Sequence, residues 1–277
     1  MEEKNRDREP FSFANINLLG KCNANCFFCL GKDIEKELAP HNQMKTHFSE
    51  WKNFQSFLSK CHRFAINKIY ITGQNTDSLL YPDLAELIQY LQEGNFRVGL
   101  RTNGYLALNK LKTLNLCDLS IGYSIHTLEP MTNKMILNRS DIPDWKTIIP
   151  ATKNCRVQIV VNRCNRYDFW HTLRFIASFP NVKYIQVRRV STETRTEQLA
   201  PDVAAYEQLY TEVSKIFPIK KRIWGDAEVY EIYGKDVVFW RTIKTTVNSI
   251  NYFTDGTISL KYFIVEGYLS ENSQSKG

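Results

Sequence analysis

No run of this chain is apolar over the length that a membrane span requires, and the opening MEEKNRDREP is polar apart from Met1 and Pro10, without the apolar core of an export signal. Both absences argue against a secreted or membrane-embedded protein and point to the cytoplasm. Prolines number only nine, no internal repeat interrupts the pattern and no long linker divides it, so the disordered and fibrous classes fall away. Cysteine is missing altogether after Cys164. The seven cysteines up to and including it, with no secretion signal, belong to a reducing compartment where thiols stay free to bind metal or to react.

What is present describes a folded body of enzyme size. The 277 residues are 43% hydrophobic and 23% charged, within the range of an α/β barrel or of a domain with an appended module. The net charge of +7 is spread over short clusters, among them Arg188-Arg189 and Lys220-Lys221-Arg222. Such a balance suits an anionic substrate or weak nucleic-acid contact, although solvated surface is the simpler explanation of scattered charge.

Strand-like and helix-like stretches alternate from SFANINL to KYIQVRRV. HFSEWKNFQSFLSKCH sets Trp51, Phe54, Leu58 and Cys61 at helical spacing, and PDLAELIQYLQEG reads as a helix that opens on proline and closes on Gly94. The strands NKIYIT, FRVGLRT, CDLSIGYSI, RVQIVVN and KYIQVRRV complete about six strand-then-helix units, which demand a parallel sheet. Most of them read as near-continuous apolar runs covered on both faces. The fold class expected is α/β: a partial (β/α)6 barrel over residues 11–200, then an α+β cap over 201–270 with an antiparallel hairpin at Asp255-Gly256. Residues 1–10 and 271–277 read as flexible tails.

GKCNANCFFCLGK carries Cys22, Cys26 and Cys29 in the spacing C-x3-C-x2-C directly after the first strand. Three thiols on one loop can turn toward a single metal or cluster. Structural zinc wants four ligands and a ferredoxin-type cluster four cysteines. No fourth ligand is evident: Cys61 lies on a helix stripe, Cys117 at a helix–strand junction, and Cys155 and Cys164 flank one strand. A cluster held by three thiolates leaves one iron open, as chemistry at the metal requires.

CNANCFFC, with Phe28 just before the third cysteine, resembles the signature of the radical S-adenosylmethionine (SAM) enzymes. The resemblance implies a 4Fe-4S cluster on Cys22, Cys26 and Cys29, whose unique iron is chelated by SAM. Reduction then yields a 5′-deoxyadenosyl radical that abstracts a hydrogen atom from the substrate. It also implies an electron donor such as flavodoxin or ferredoxin. YITGQNTDS stands where the family carries a glycine-rich motif, so Gly73, Gln74, Asn75, Thr76 and Asp77 become candidates for SAM contact, although the residues depart from the common Gly-Gly-Glu. By the same resemblance Asn103 and Gly104 of RTNGYL approach the cofactor, Ser124 bonds SAM, Asn162 at the end of the fifth strand is a further candidate for cofactor contact, and Arg188 clamps the SAM carboxylate. His126 is a structural histidine or a proton carrier. Gln186 shares a face with Arg188, and Arg189 faces away.

Many peptide-modifying members of that family carry further clusters in a cysteine-rich C-terminal extension, whereas the sequence after Cys164 has no cysteine. Its C-terminal segment therefore reads as a cluster-free cap closing over the substrate, with Trp224, Tyr230, Tyr233, Phe239, Trp240 and Tyr252 as core. Cys164 is a candidate hydrogen donor to a substrate radical, by position alone. The expected substrate is a small polar or anionic metabolite. A ribosomally made peptide comes second, and nucleic acid last, since no aromatic-and-basic platform stands out. The competing class is a non-catalytic protein whose three cysteines bind zinc. Epimerisation, dehydrogenation, rearrangement and cyclisation share the same first step and stay open.

Overall fold

The computed structural model describes residues 12–223, 227–241, 249–260 and 268, so the two expected tails and Trp224 lie outside the described residues. Six strands, β1 (Phe13–Leu19), β2 (Lys68–Gln74), β3 (Arg97–Thr102), β4 (Ile121–Ser124), β5 (Cys155–Val161) and β6 (Val182–Arg189), lie side by side in chain order and are parallel throughout. Helices α1 (Glu35–Leu38) and α2 (Phe54–Arg63) join β1 to β2, α3 (Leu84–Glu93) and α4 (Leu111–Leu114) make the next two crossovers, α5 (Pro130–Leu137) and α6 (Trp145–Ala151) the fourth, and α7 (Phe169–Ala177) the fifth. The 17-residue α8 (Ala200–Ile216) follows β6. This is the α/β barrel expected from the alternation.

The two faces of the sheet differ sharply. Ile16, Ile71, Leu100, Tyr123, Val157, Ile159 and Val187 are buried in one core with the apolar stripes of the helices. Residues alternating with them, including Asn15, Asn17, Thr72, Gln74, Arg156 and Gln186, are buried yet polar. Residues of β1, β2, β3, β5 and β6 on that second face line one cavity, so the sheet curves around it. The expectation of strands apolar on both faces is corrected here: the inner face is polar because it encloses a lumen.

The C-terminal strands are β7 (Lys221–Ile223), β8 (Ala227–Ile232), β9 (Lys235–Trp240), β10 (Ser249–Phe253) and β11 (Ile258–Ser259). Among the described residues three antiparallel pairings are present, β7–β8, β8–β9 and the hairpin β10–β11. They extend the barrel sheet itself, because β9 runs parallel to β6 and β10 parallel to β1. Six strands alone would leave two rows of unpaired backbone groups, and these strands satisfy both. The β10 edge is fastened by Asn15 Nδ2 to Asn251 Oδ1 at 2.8 Å, Asn17 Nδ2 to the Tyr252 carbonyl at 3.1 Å, and the Leu19 amide to Thr254 Oγ1 at 3.0 Å. Phe57 of α2 stacks on Tyr252, ring centroids 5.0 Å apart.

Local chemistry shifts some boundaries. Asn53 sits at φ 59°, so α2 starts only at Phe54, although Trp51 is buried as its spacing suggested. After α3 the left-handed residue is Asn95 (φ 64°), not Gly94 (φ −76°). Helix α5 has no counterpart in the sequence reading, because Met131 and Met135 are exposed and only Asn133, Ile136 and Leu137 are buried, too short a stripe to show a period.

Phe57 is fully buried between α2 and β10. Phe57→Ala should cost about 3–5 kcal/mol in a denaturant melt, whereas Leu260→Ala, at a half-exposed position, should leave the midpoint unchanged.

Candidate active site

The loop that leaves β1 carries three free thiols, Cys22, Cys26 and Cys29, on one cavity of about 540 Å³. Lys21, Lys32, Glu35, Asn42, Asn75 and Thr76 share its lining. The cavity lies at the C-terminal ends of the parallel strands, where barrels place their chemistry. Burial pushes the Cys22 thiol up to about 11 and raises those of Cys26 and Cys29 as well. Free thiols here are thus protonated near neutrality, and they become good ligands only by giving their protons up to a metal. Among the described residues no three His, Cys, Asp or Glu side chains are placed to hold a metal ion at one point. Three thiols on one cavity leave a structural zinc ion short of the four ligands it takes.

The loop has little regular structure, and its backbone is held by side chains and a helix end instead. The carbonyls of Leu137 and Ile136 at the end of α5 accept from the Asn25 and Phe27 amides at 2.8 and 3.1 Å. Arg139 donates through Nη1 to the Asn23 carbonyl at 2.9 Å while its guanidinium covers the Tyr105 ring at 3.9 Å. Arg195 donates to the Phe27 and Cys29 carbonyls, both at 2.7 Å, and through Nε to Asp33 Oδ1 at 2.6 Å. The fully buried Asp33 carboxylate also accepts from Thr192 Oγ1 and the Glu193 amide. Burial opposes its ionisation, but these bonds and the Arg195 guanidinium outweigh that and hold it below the usual carboxylate range. Neither arginine was singled out from the sequence. Arg195 lies in the aperiodic STETRTEQ and Arg139 beyond an unrecognised helix, so no local signal marked them.

The structure gathers the sequence candidates unequally. Asn75, left-handed at φ 53°, donates through Nδ2 to the Gly31 carbonyl at 2.8 Å, and its Oδ1 lies 3.8 Å from Cys29 Sγ. A Cβ on Gly31 would fall 2.4 Å from that Oδ1, so glycine is what admits the contact. Gly73 is equally constrained, since its Cβ would lie 2.1 Å from the Thr76 carbonyl oxygen. Asn103 Nδ2 reaches Asn23 Oδ1 at 2.8 Å and lies 3.7 Å from Cys22 Sγ. Ser124 lines a small recess with Asn103 and His126. Phe28 packs edge-on to His126, centroids 5.1 Å apart, and with Ile136, Leu137 and Val160 it anchors the loop. Half-buried Cys164 packs on the same group as Cys26.

Five candidates are held by partners of their own or lie off the cysteine cavity. Asp77 is buried and accepts from Thr102 Oγ1 at 2.8 Å, the Asn103 amide at 2.7 Å and the Leu79 amide at 3.0 Å, so it orients Asn103 from behind the cavity. Gln74 donates to Asn17 inside the lumen. Asn162 is consumed by its own turn, donating to the Val160 carbonyl and accepting from the Cys164 amide. His126 Nδ1 accepts the Val160 amide at 3.1 Å, and burial lowers its pKa to about 4, which makes it a neutral structural histidine. Arg188 does share a face with Gln186, but that face points into the lumen, where its guanidinium lies 5.5 Å from the Trp240 ring centroid and outside the cysteine cavity. Arg189 faces α8 and pairs with Glu207 at 3.5 Å.

Comparison with known proteins gives a concordant result. The model of the radical SAM superfamily matches residues 16–170. A GTP 3′,8-cyclase of Aquifex aeolicus (strain VF5) is 31% identical over 157 residues, 55% of this chain and 47% of that protein. A GTP 3′,8-cyclase of Thermodesulfovibrio yellowstonii is 22% identical over 250 residues, 83% of this chain and 73% of that one. The match thus spans about half the length of the first of these relatives. Among solved structures, Streptococcus suis SuiB bound to its precursor peptide SuiA superposes with a TM-score of 0.59 at 14% identity, over 95% of this chain and 61% of that one. SuiB bound to S-adenosylmethionine gives 0.57 at 13% identity, over 92% and 61%. Identities this low speak to the fold alone.

Removing Arg195 leaves a buried carboxylate without its counter-charge and frees two loop carbonyls. Arg195→Met should destabilise the protein by about 3 kcal/mol and reduce the iron retained per chain after reconstitution, as measured by melts and iron assay. Arg195→Lys, which keeps the charge and loses the fork, should recover stability more than iron. The depressed pKa of Asp33 contributes stability above about pH 4 that is lost as pH falls through the folded-state value, so melts between pH 3 and 7 should show a shallower acid limb in Arg195→Met.

Proposed function

The chain belongs to the radical SAM superfamily, whose enzymes use a 4Fe-4S cluster and SAM, and from that membership we propose that it abstracts a hydrogen atom from a small anionic, nucleotide-like substrate. One observation carries the reading: three free thiols, and no fourth among the described residues, surround a single cavity at the C-terminal ends of a parallel sheet. When bound there, the cluster and SAM supply one-electron cleavage of SAM and a radical able to break an unactivated C–H bond.

This chain's residues supply position and shelter. Cys22, Cys26 and Cys29 would hold the cluster, and the rest of their shared cavity would take SAM. Asn75 and Thr76 stand at the exit of β2 beside Cys29 and orient the amino-acid end of SAM. Asn103, aimed by Asp77, and Ser124 line the neighbouring approach. Phe28 excludes water behind the loop. Cys164 keeps its proposed part as hydrogen donor only if the reaction ends by returning a hydrogen atom. A nucleotide is favoured by the names of the curated relatives, and the residue 11–200 barrel with the 201–270 segment is the unit proposed to carry the activity. A flavodoxin or ferredoxin is the proposed electron source. No helix among the described residues is long and apolar enough to cross a membrane.

The test is anaerobic: reconstitute the protein with iron and sulfide, add SAM and dithionite, and assay 5′-deoxyadenosine. The wild type should be brown and cleave SAM, and Cys22→Ala, Cys26→Ala and Cys29→Ala should each fall to background. Nucleoside triphosphates should stimulate cleavage, and stimulation by peptides instead would move the substrate to that class. A colourless protein that binds one zinc ion and cleaves nothing would overturn the reading.

A further inference from the structure

Two asparagines stand at the exits of adjacent strands, each beside one of the loop sulfurs, and they present opposite ends of their amides. Asn103 follows β3, and its Nδ2 lies 3.7 Å from Cys22 Sγ. Asn75 follows β2, and its Oδ1 lies 3.8 Å from Cys29 Sγ. The surrounding hydrogen bonds decide which way each amide points. The Tyr105 amide donates to Asn103 Oδ1 at 3.2 Å, which leaves Nδ2 for Asn23 Oδ1 at 2.8 Å and for the sulfur. Reversal would set an NH2 group against the Tyr105 N–H. Asn75 is turned the other way, because its Nδ2 donates to the Gly31 carbonyl at 2.8 Å. The Asn103 turn is also fixed from behind. Its backbone amide donates to Asp77 Oδ2 at 2.7 Å, and Gly104 takes φ 84°, where a Cβ would lie 2.1 Å from the Trp145 ring.

We infer that Asn103 is a positioning residue that sets how readily a cluster held by the loop accepts an electron, through the N–H it directs at the Cys22 sulfur. This role rests on the radical SAM reading. Reduction adds negative charge to the cysteine sulfurs, and an N–H dipole aimed at sulfur stabilises that charge, so such bonds raise the reduction potential. Backbone amides serve two of the sulfurs, that of Ala24 at Cys22 and those of Gly31 and Lys32 at Cys29. The side chains are what differ. Cys22 gains a further donor, and the contact strengthens when the thiol gives up its proton to a metal, because charged acceptors bind N–H more strongly. Cys29 faces a carbonyl oxygen, which its sulfur can bond only while it keeps that proton. Cys22 is therefore the sulfur better placed to carry added charge.

The full chain, reconstituted anaerobically with iron and sulfide and kept free of SAM, is titrated through its reduction while electron paramagnetic resonance follows the reduced cluster. Asn103→Leu and Asn103→Ser, neutral and without an amide to give, should load as much iron as the wild type and reduce at lower potential, by roughly threefold or more in the equilibrium constant for reduction. Asn103→Asp, which keeps the acceptor for the Tyr105 amide, should fall further. Asn75→Gly, which keeps the left-handed backbone and removes an acceptor, should leave the potential unchanged or raise it. A fall in Asn103→Asp with none in the neutral variants is an effect of charge alone and overturns the inference. So does an equal fall in Asn75→Gly, which would mark a loosened loop, and so does loss of iron from both neutral variants, which would make Asn103 a support of the loop only. Asn103→Ser keeps the test usable should Asn103→Leu fail to fold, as circular dichroism would reveal. A wild type that takes up no iron and shows no resonance sinks the radical reading itself, whereas a reducible wild-type cluster indifferent to Asn103 sinks only this inference.

Discussion

The buried pair of Arg195 and Asp33 is the contact on which the geometry of the site depends. Asp33 follows the loop after β1, and Arg195 follows β6. In a flat sheet those strands would stand five spacings apart, about 24 Å at 4.8 Å each, beyond the reach of any side chain. The pair therefore forms only because the sheet curls, and once formed it ties the first crossover to the last. The guanidinium that neutralises Asp33 also takes the carbonyls of Phe27 and Cys29, so barrel curvature and cysteine placement are set by one group. Arginine suits the task because its planar fork serves a carboxylate and two carbonyls at once.

A second buried carboxylate performs the parallel task for the next two strands. Burial raises the pKa of Asp77 although the Asn103 and Leu79 amides and Thr102 bond to it. Its position between the exits of β2 and β3 fixes Asn103 toward Cys22 without exposing a charge to the cavity. Both acids thus act through a neighbour.

Much of this was legible in the chain, and what was not has a common physical cause. The spacing of Cys22, Cys26 and Cys29 and the strand–helix alternation are local patterns, and they put the cysteine loop after the first strand of a parallel sheet, where the structure has it. Gly73 and Asn75 were noticed as turn formers, and the structure adds why: the chain folds back onto Thr76 and meets Gly31. Arg195, Arg139 and the lumen arginines act over long sequence separations, where periodicity carries no information. Arg188 illustrates the difference. Its face on β6 followed correctly from alternation with Gln186, but which layer of the lumen it occupied depended on the register with β5 and β9.

The C-terminal segment shows how an absence can be informative in a different way from the one first expected. A chain without cysteine after Cys164 has no thiols to offer there, and its last strands instead complete the edges of the barrel. Strand β9 brings Trp240 to the lumen beside Arg188, and β10 brings Asn251 to Asn15. The described part of the segment therefore contributes walls, and the wall it builds on the β6 side orients a cation.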